Sequence, residues 1–232
     1  MSETTWLVVP AAGQGKRMGA EIPKQYLTLQ GTPILALTLQ RLYAALPDAR
    51  LVLCLDTQDH WFAPSWVPFE HWQRVPGGTE RMDSVLNALQ TLNAAEDDLV
   101  LVHDVARPCI AVEDLKAVEK AARDNTSGAL LAMPVADTMK RAAASGSIAH
   151  TESREGLWHA LTPQGFRYGP LRRALEHARA HATQVTDEAS ALEAMGEFPQ
   201  LISGRRDNIK VTHPDDLALA SAILNAQKHA YI

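Results

Sequence analysis

Between Pro10 and Lys24 the chain reads PAAGQGKRMGAEIPK. Gly13, Gly15 and Gly19 let backbone N–H groups turn inward and come close to a ligand. Lys16, Arg17 and Lys24 place fixed positive charge on the same loop. The loop follows an apolar run, Trp6–Pro10, that reads as a buried strand. Bare amides and cations at the carboxyl end of a strand suit a polyphosphate. Two familiar glycine signatures are excluded by spacing. A dinucleotide loop, G-x-G-x-x-G, fails at Met18, and a Walker A loop needs Ser or Thr where Arg17 follows Gly15-Lys16.

Other polar residues stand where an apolar run or a turn would deliver them to the same rim. Asp104 follows the run Leu99–Val102, and Arg107 lies just beyond it. Asp104 reads either as a carboxylate facing a ribose or a metal-bound phosphate, or as a turn residue paired with Arg107. Gly77-Gly-Thr-Glu-Arg-Met-Asp-Ser84 is a glycine turn entering a helix. Ser84 and the amides near Gly78 suit the edge of a base, and the same residues suit helix capping, with Thr79 as cap and Asp83 in the first turn. Thr186 reads first as a helix N-cap, with Asp187 and Glu188 favourable against the helix dipole. Lys210, flanked by Ile209 and Val211, reads as the outer face of a strand or as a rim cation aimed into a cleft. His177 and His181 lack the Glu of a zinc-protease helix and read as an exposed face.

The elements that must hold these residues alternate in type. Trp6–Pro10, Leu51–Leu55, Leu99–Val102 and Ala129–Met133 fit central strands covered on both faces. Helical stripes lie between them. Thr32-Pro33 opens one carrying Leu35, Leu39 and Leu42; Met82, Val85, Leu89 and Leu92 form another, and Leu115 and Val118 a third. Further stripes follow Gly169-Pro170 and Pro214. This alternation implies a single α/β domain over residues 1–232 with a mostly parallel sheet, whose ligands bind beyond the strands' carboxyl ends. Residues 134–156 break the pattern. They read as two arms, Thr138–Arg141 and Ile148–Thr151, joined at Ser145-Gly146-Ser147, which leave the domain and return. Such an arm needs its edges covered, and a second subunit is the natural cover.

Composition narrows the class. The 232 residues are 46% hydrophobic and 21% charged, as in globular proteins. A net charge of -5 argues against general nucleic-acid binding, so the basic loop is a local feature. Cys54 and Cys109 provide neither a disulfide framework nor a metal quartet. No apolar run is long enough to span a membrane, and no basic-then-apolar leader opens the chain, so a cytoplasmic enzyme is expected.

From Val9 to about Leu219 the sequence resembles the 2-C-methyl-D-erythritol 4-phosphate cytidylyltransferases of the non-mevalonate isoprenoid pathway. The resemblance rests on P-A-A-G-x-G-x-R-M at Pro10–Met18, P-K-Q at Pro23–Gln25 and H-D-x-A-R-P at His103–Pro108. It continues through D-T-M-K at Asp137–Lys140, G-L-W-x-A-L-T-P-Q at Gly156–Gln164, T-D-E-A-S-A-L-E at Thr186–Glu193 and D-N-I-K-V-T at Asp207–Thr212. It implies a three-layer, Rossmann-like nucleotidyltransferase fold with a projecting β-arm that clasps a homodimer. It implies transfer of a cytidylyl group from CTP to methylerythritol phosphate, with Mg²⁺ or another divalent cation held mainly by the CTP phosphates. Arg17, Lys24 and Lys210 then match the cations of the transition state. Pro10, Ala11, Ala12, Gly13 and Gly15 match the CTP loop, with Gly78 and Ser84 near the cytosine and Asp104 near the ribose. Arg154 and Thr162 match the second-substrate pocket, joined by Arg107, Thr138 and Thr186 from the neighbouring subunit.

One position departs from the family pattern: Thr79 stands where an acidic residue is common. The alternatives are a ribitol 5-phosphate or other sugar-phosphate nucleotidyltransferase of the same fold, and a nucleotide-binding regulator without activity. The first is weighed against by the second-substrate residues, and the second by the retention of Arg17, Lys24 and Lys210.

Overall fold

Three of the apolar runs lie side by side as parallel strands, β1 (Thr5–Pro10) between β4 (Arg50–Leu55) and β6 (Leu99–Val102). Their continuous hydrophobicity has a direct cause. Successive side chains point to opposite faces, and both faces are covered. Leu7 and Val9 pack with Leu51, Leu53 and Leu101 against α1 (Ile34–Ala45) and α3 (Val112–Asp124). Trp6 and Val8 pack with Val52, Cys54 and Val100 against α2 (Arg81–Thr91), α4 (Tyr168–Ala180) and α5 (Glu188–Glu193). Each fully buried leucine of this kind contributes about 2 kcal/mol of transfer free energy. The result is three layers, and the expected α/β class is borne out. These elements belong to a computed structural model that describes residues 3–13, 15, 18–19 and 22–229.

The sheet has seven strands in the order β11-β7-β10-β6-β1-β4-β5, with β5 at Trp72–Pro76, β7 at Ala129–Pro134, β10 at Trp158–Arg167 and β11 at Gln200–Ser203. Strand β10 runs antiparallel to both neighbours, β6 and β7. It has no simple apolar signature, because Thr162 and Gln164 are buried within it and make internal hydrogen bonds. Strands β5, β10 and β11 leave no periodic signal, whereas the helix expected after Thr186 is present as α5. A small ladder, β2 (Thr28–Leu29) with β3 (Thr32–Pro33), precedes α1. Thr32 is therefore not the cap of α1; Pro33 occupies that position without a side-chain bond. Helix α4 begins at Tyr168, so Gly169-Pro170 forms its first turn rather than its approach. Helix α6 (Asp215–His229) packs Ala220 and Leu224 against Met18, Leu29, Ile34 and Val211.

Residues 134–156 leave the sheet as a hairpin. Strand β8 (Met139–Ala142) pairs antiparallel with β9 (Ile148–Glu152) across the turn at Ser145–Ser147. Nearly every residue of the hairpin is exposed, and Ile148 is 65% exposed.

Candidate active site: a cation-lined cleft at the carboxyl rim

Strand β1 ends at Pro10, and the glycine loop starts where it leaves the sheet. Ala11 is held from both sides. Its N–H donates to the Cys54 carbonyl (2.8 Å), and its carbonyl accepts from Gln25 Nε2 (2.8 Å). Gln25 belongs to the 3-10 turn Lys24–Tyr26, so the loop and the lysine are fixed together. Gly15 has φ +64°, and a Cβ there would sit 2.9 Å from the Lys24 side chain. Its glycine therefore gives the lysine stem room to pass. Lys24 Nζ donates to the Val211 carbonyl (3.2 Å), next to Lys210.

Strand β5, paired with β4, delivers the opposite wall. Gly77 N–H donates to the Leu55 carbonyl (2.8 Å), and a Cβ on Gly77 would lie 2.1 Å from that of Ala12. Only glycine lets this turn press against the loop at Ala12. Ser84 Oγ accepts from Gly78 N–H (2.9 Å) and donates to the Glu80 carbonyl (3.2 Å). The cap of α2 is Glu80, which forms a capping box with Asp83, not Thr79. The cap of α5 is likewise Asp187, which bonds Ser190 N–H, and not Thr186.

Strand β6 ends at Val102, and His103 and Asp104 follow it at the rim. Asp104 is nearly buried, and its N–H donates to Thr162 Oγ1 (3.1 Å). Its nearest cations are Lys210 Nζ at 2.7 Å and Arg81 Nε at 2.8 Å, with Arg107, the partner read from the sequence, farther off at 3.9 Å. Burial opposes ionisation of Asp104, but the Arg81 and Lys210 cations outweigh it and hold the carboxyl well below the usual carboxylate range. Lys210 is the rim cation of the two readings. It lies in a loop beyond β11, pinned by Val211 N–H on the Ala106 carbonyl (2.8 Å).

The space between these walls is a cleft of about 500 Å³. Pro10, Ala11, Ala12 and Gly13 line one side. Gly78 and Ser84 line another, and Lys24, Asp104 and Lys210 meet across it. A Cβ on Gly13 would meet nothing within 4 Å, so the loop is open to the cleft at this residue. Arg17 and Lys16 lie outside the described residues. Cys54 behind the cleft is inert, its thiol pushed up to about 12 by burial.

The second-substrate residues fall into separate groups. Arg107 and Thr162 are buried beneath the rim, Arg107 donating to the Asn208 carbonyl (2.7 Å). Thr186 is exposed at the start of α5, and Thr138 and Arg154 are exposed on the hairpin. Arg154 donates to the Ala136 carbonyl, at the root of the same hairpin. Within one chain, Arg107 lies beside Asp104, and Thr138 and Arg154 share the hairpin arm.

Three residues of the site were not singled out in the sequence. Arg81 forks onto buried Glu188 as well as Asp104. Gln25 ties the lysine turn to the loop, and Gln164 bonds Asp187 Oδ2 (2.8 Å) and Ala189 N–H (3.0 Å), locking β10 to α5. Glu188 did carry a signal: an acid opening the apolar sequence Ala189, Ala191, Leu192 turns inward with them.

His103 is fully buried, and burial lowers its pKa to about 4, so the imidazole is neutral at pH 7. Its Nε2–H donates to the Arg107 carbonyl (3.2 Å), which leaves Nδ1 to accept from the Thr162 hydroxyl (3.1 Å). The unfolded chain binds this proton below about pH 6.5 and the folded chain only near 4. Stability is therefore lost as pH falls through that window, by on the order of 3 kcal/mol. Burial raises the Glu188 carboxyl, which works in the opposite sense, so the contribution is read as a difference. Denaturant titrations from pH 7 to 4 should show a shallower loss for His103→Gln than for the parent chain.

Among the described residues no cluster of three or more His, Cys, Asp or Glu side chains forms a metal-ligand set. The cleft's carboxylates are Asp56, Glu80 and Asp104, and Asp104 already carries two cations. This donor set fits a cation that arrives with a polyphosphate.

A family model described as 2-C-methyl-D-erythritol 4-phosphate cytidylyltransferase matches residues 5–226. A protein of that name from Chromohalobacter salexigens is 64% identical over 221 residues, covering 94% of this chain and 89% of the relative. One from Shewanella amazonensis is 53% identical over 224 residues, covering 95% and 93%. A crystal structure described as 4-diphosphocytidyl-2C-methyl-D-erythritol synthase superposes with a TM-score of 0.82 at 34% identity, covering 97% of this chain and all of that one.

Proposed function

The chain belongs to the 2-C-methyl-D-erythritol 4-phosphate cytidylyltransferase family, and from that premise we propose how its residues share the reaction. It joins CTP to 2-C-methyl-D-erythritol 4-phosphate in isoprenoid precursor biosynthesis, giving 4-diphosphocytidyl-2-C-methyl-D-erythritol and pyrophosphate. The observation that carries the assignment of roles is the meeting of Lys24 and Lys210 across one cleft floored by the glycine loop.

A phosphate oxygen of the acceptor attacks the α-phosphorus of CTP in line. The P–O bond to the β-phosphate breaks, and its electron pair leaves with pyrophosphate. Both reactants are anions, so positioning and charge neutralisation are the main tasks. Lys24 meets the triphosphate from the glycine-loop wall, and Lys210 meets the α-phosphate from the other. Arg17 is assigned the same work from its place in the motif. The N–H groups of Ala12, Gly13 and Gly15 serve the phosphates; Pro10 has no N–H and that of Ala11 is held by the Cys54 carbonyl, so these two form the wall of the loop. Gly78 and Ser84 hold the cytosine, and Asp104 holds the ribose. The CTP phosphates would carry Mg²⁺, which adds to their neutralisation when bound. No general base is needed, because the attacking phosphate is ionised at neutral pH.

Arg107, Thr162 and Thr186 belong to the side that receives methylerythritol phosphate. Thr138 and Arg154 complete that side of a partner's cleft, in a homodimer held by the arm. The support is the arm itself: a two-stranded hairpin alone is marginal in water, and this one exposes Met139 and Ile148 with its edges uncovered. We place the enzyme in the cytoplasm. No helix among the described residues is long and apolar enough to cross a membrane.

The test is a pyrophosphate-release screen that pairs CTP, UTP and ATP with methylerythritol phosphate and ribitol 5-phosphate. Release is expected for CTP with methylerythritol phosphate. Release only with UTP or only with ribitol phosphate would replace the substrates, and CTP binding without release would indicate a regulator.

A further inference from the structure

We propose that Arg81 is a positioning residue for the nucleotide side of the reaction: anchored on Glu188, it holds the Asp104 carboxylate in place and so leaves Lys210 available to the phosphates. The inference rests on the roles given to Asp104 and Lys210 under Proposed function.

Arg81 opens α2 at the edge of the cleft. Its guanidinium forks onto Glu188, with Nη1 to Oε1 at 2.6 Å and Nη2 to Oε2 at 3.0 Å. The remaining Nε–H donates to Asp104 Oδ1 at 2.8 Å. A planar fork used on all of these sides leaves the side chain little freedom. Its anchor is rigid as well. Glu188 is 1% exposed and sits in the first turn of α5, which is tied down by the Asp187–Ser190 capping box and by Gln164.

The two oxygens of Asp104 are divided. Oδ1 is Arg81's, while Oδ2 takes Lys210 at 2.7 Å and Arg107 at 3.9 Å. Lys210 must leave Oδ2 when the nucleotide's phosphates arrive. Arg81 then remains as the direct counter-charge of a carboxylate that is almost out of water. Without Arg81, the near partner left to Asp104 is Lys210. The carboxylate would keep that lysine, and each step that needs Lys210 on phosphate would work against a buried charge.

Arg81→Met alone strands the Glu188 carboxylate in the interior, so the decisive variant is R81M/E188Q, which removes both charges at similar volume. Thermal denaturation reports the fold, calorimetric titration with CTP reports affinity, and steady-state pyrophosphate release reports kcat. The expected result is a folded double variant with CTP affinity and kcat each about tenfold lower, the scale of one charge-assisted contact. Arg81→Lys, which keeps the charge but loses the fork, is expected to fold and to lose affinity several-fold. A purely structural role predicts parental affinity and kcat in both variants once folded, and that result would overturn the proposal. Parental values in R81K would overturn it even if R81M/E188Q failed to fold. A parent chain that binds CTP and releases no pyrophosphate would count against the proposed function instead, and the affinity comparison would still decide the role of Arg81.

Discussion

Replacing Lys210 by alanine is expected to lower kcat about a hundredfold or more while the chain stays folded, the scale for losing one charge contact made in a transition state. The fold should tolerate the change because Lys210 is 38% exposed and Asp104 keeps Arg81. Lys24→Ala should lose kcat on the same scale. Lys24 reaches the Val211 carbonyl, one residue from Lys210, so the two cations face one cleft from different walls. If each meets charge that develops at the α-phosphate and on the leaving pyrophosphate, single-turnover rates at saturating CTP fall in both variants. Loss confined to KM would mean that the lysines only gather the substrate, because uniform binding does not raise kcat.

The second large effect concerns the arm. Arg154→Ala is expected to be nearly inactive, and so is Lys210→Ala, yet a mixture of the two should recover activity. Thr138 and Arg154 stand on an exposed hairpin, and neither lines the Lys24–Lys210 cleft of its own chain. In a mixed dimer the Arg154→Ala chain keeps its own Lys210 and receives an intact arm from the Lys210→Ala chain. One site of two is whole. Random reassortment makes half the dimers mixed, so specific activity should approach about a quarter of the parent's. No recovery after confirmed subunit exchange would mean that the arm serves its own chain.

Much of this site is visible in the residues, for reasons that differ by element. Trp6–Pro10 declares itself because a strand covered on both faces must be apolar at every step. The glycine loop declares itself through close approach, which only glycine permits. Strand β10 does not, because its buried Thr162 and Gln164 are satisfied by partners at Asp104, Asp187 and Ala189 that are distant in sequence. The Arg81–Glu188 pair joins residues 107 apart, and no local pattern connects them. The caps of α2 and α5 fall one residue beyond Thr79 and Thr186, because Glu80 and Asp187 are competent caps with better-placed box partners. Lys210 shows the limit most clearly. Its neighbours Ile209 and Val211 suggest a strand, but the loop is shaped by Asn208 on the Thr162 carbonyl and by Val211 on Ala106.

In the proposed mechanism Lys24 and Lys210 act as charges and not as nucleophiles, so cytidylyl transfer is a single in-line displacement. A lysine acting as a nucleophile would hold the cytidylyl group covalently and release pyrophosphate before the acceptor binds. Labelled pyrophosphate would then return to CTP without acceptor. The most direct measurement is therefore exchange of labelled pyrophosphate into CTP in the absence of methylerythritol phosphate. A single displacement predicts no exchange until methylerythritol phosphate or its cytidylylated product is added. Exchange with CTP alone, abolished by Lys24→Ala or Lys210→Ala, would contradict it.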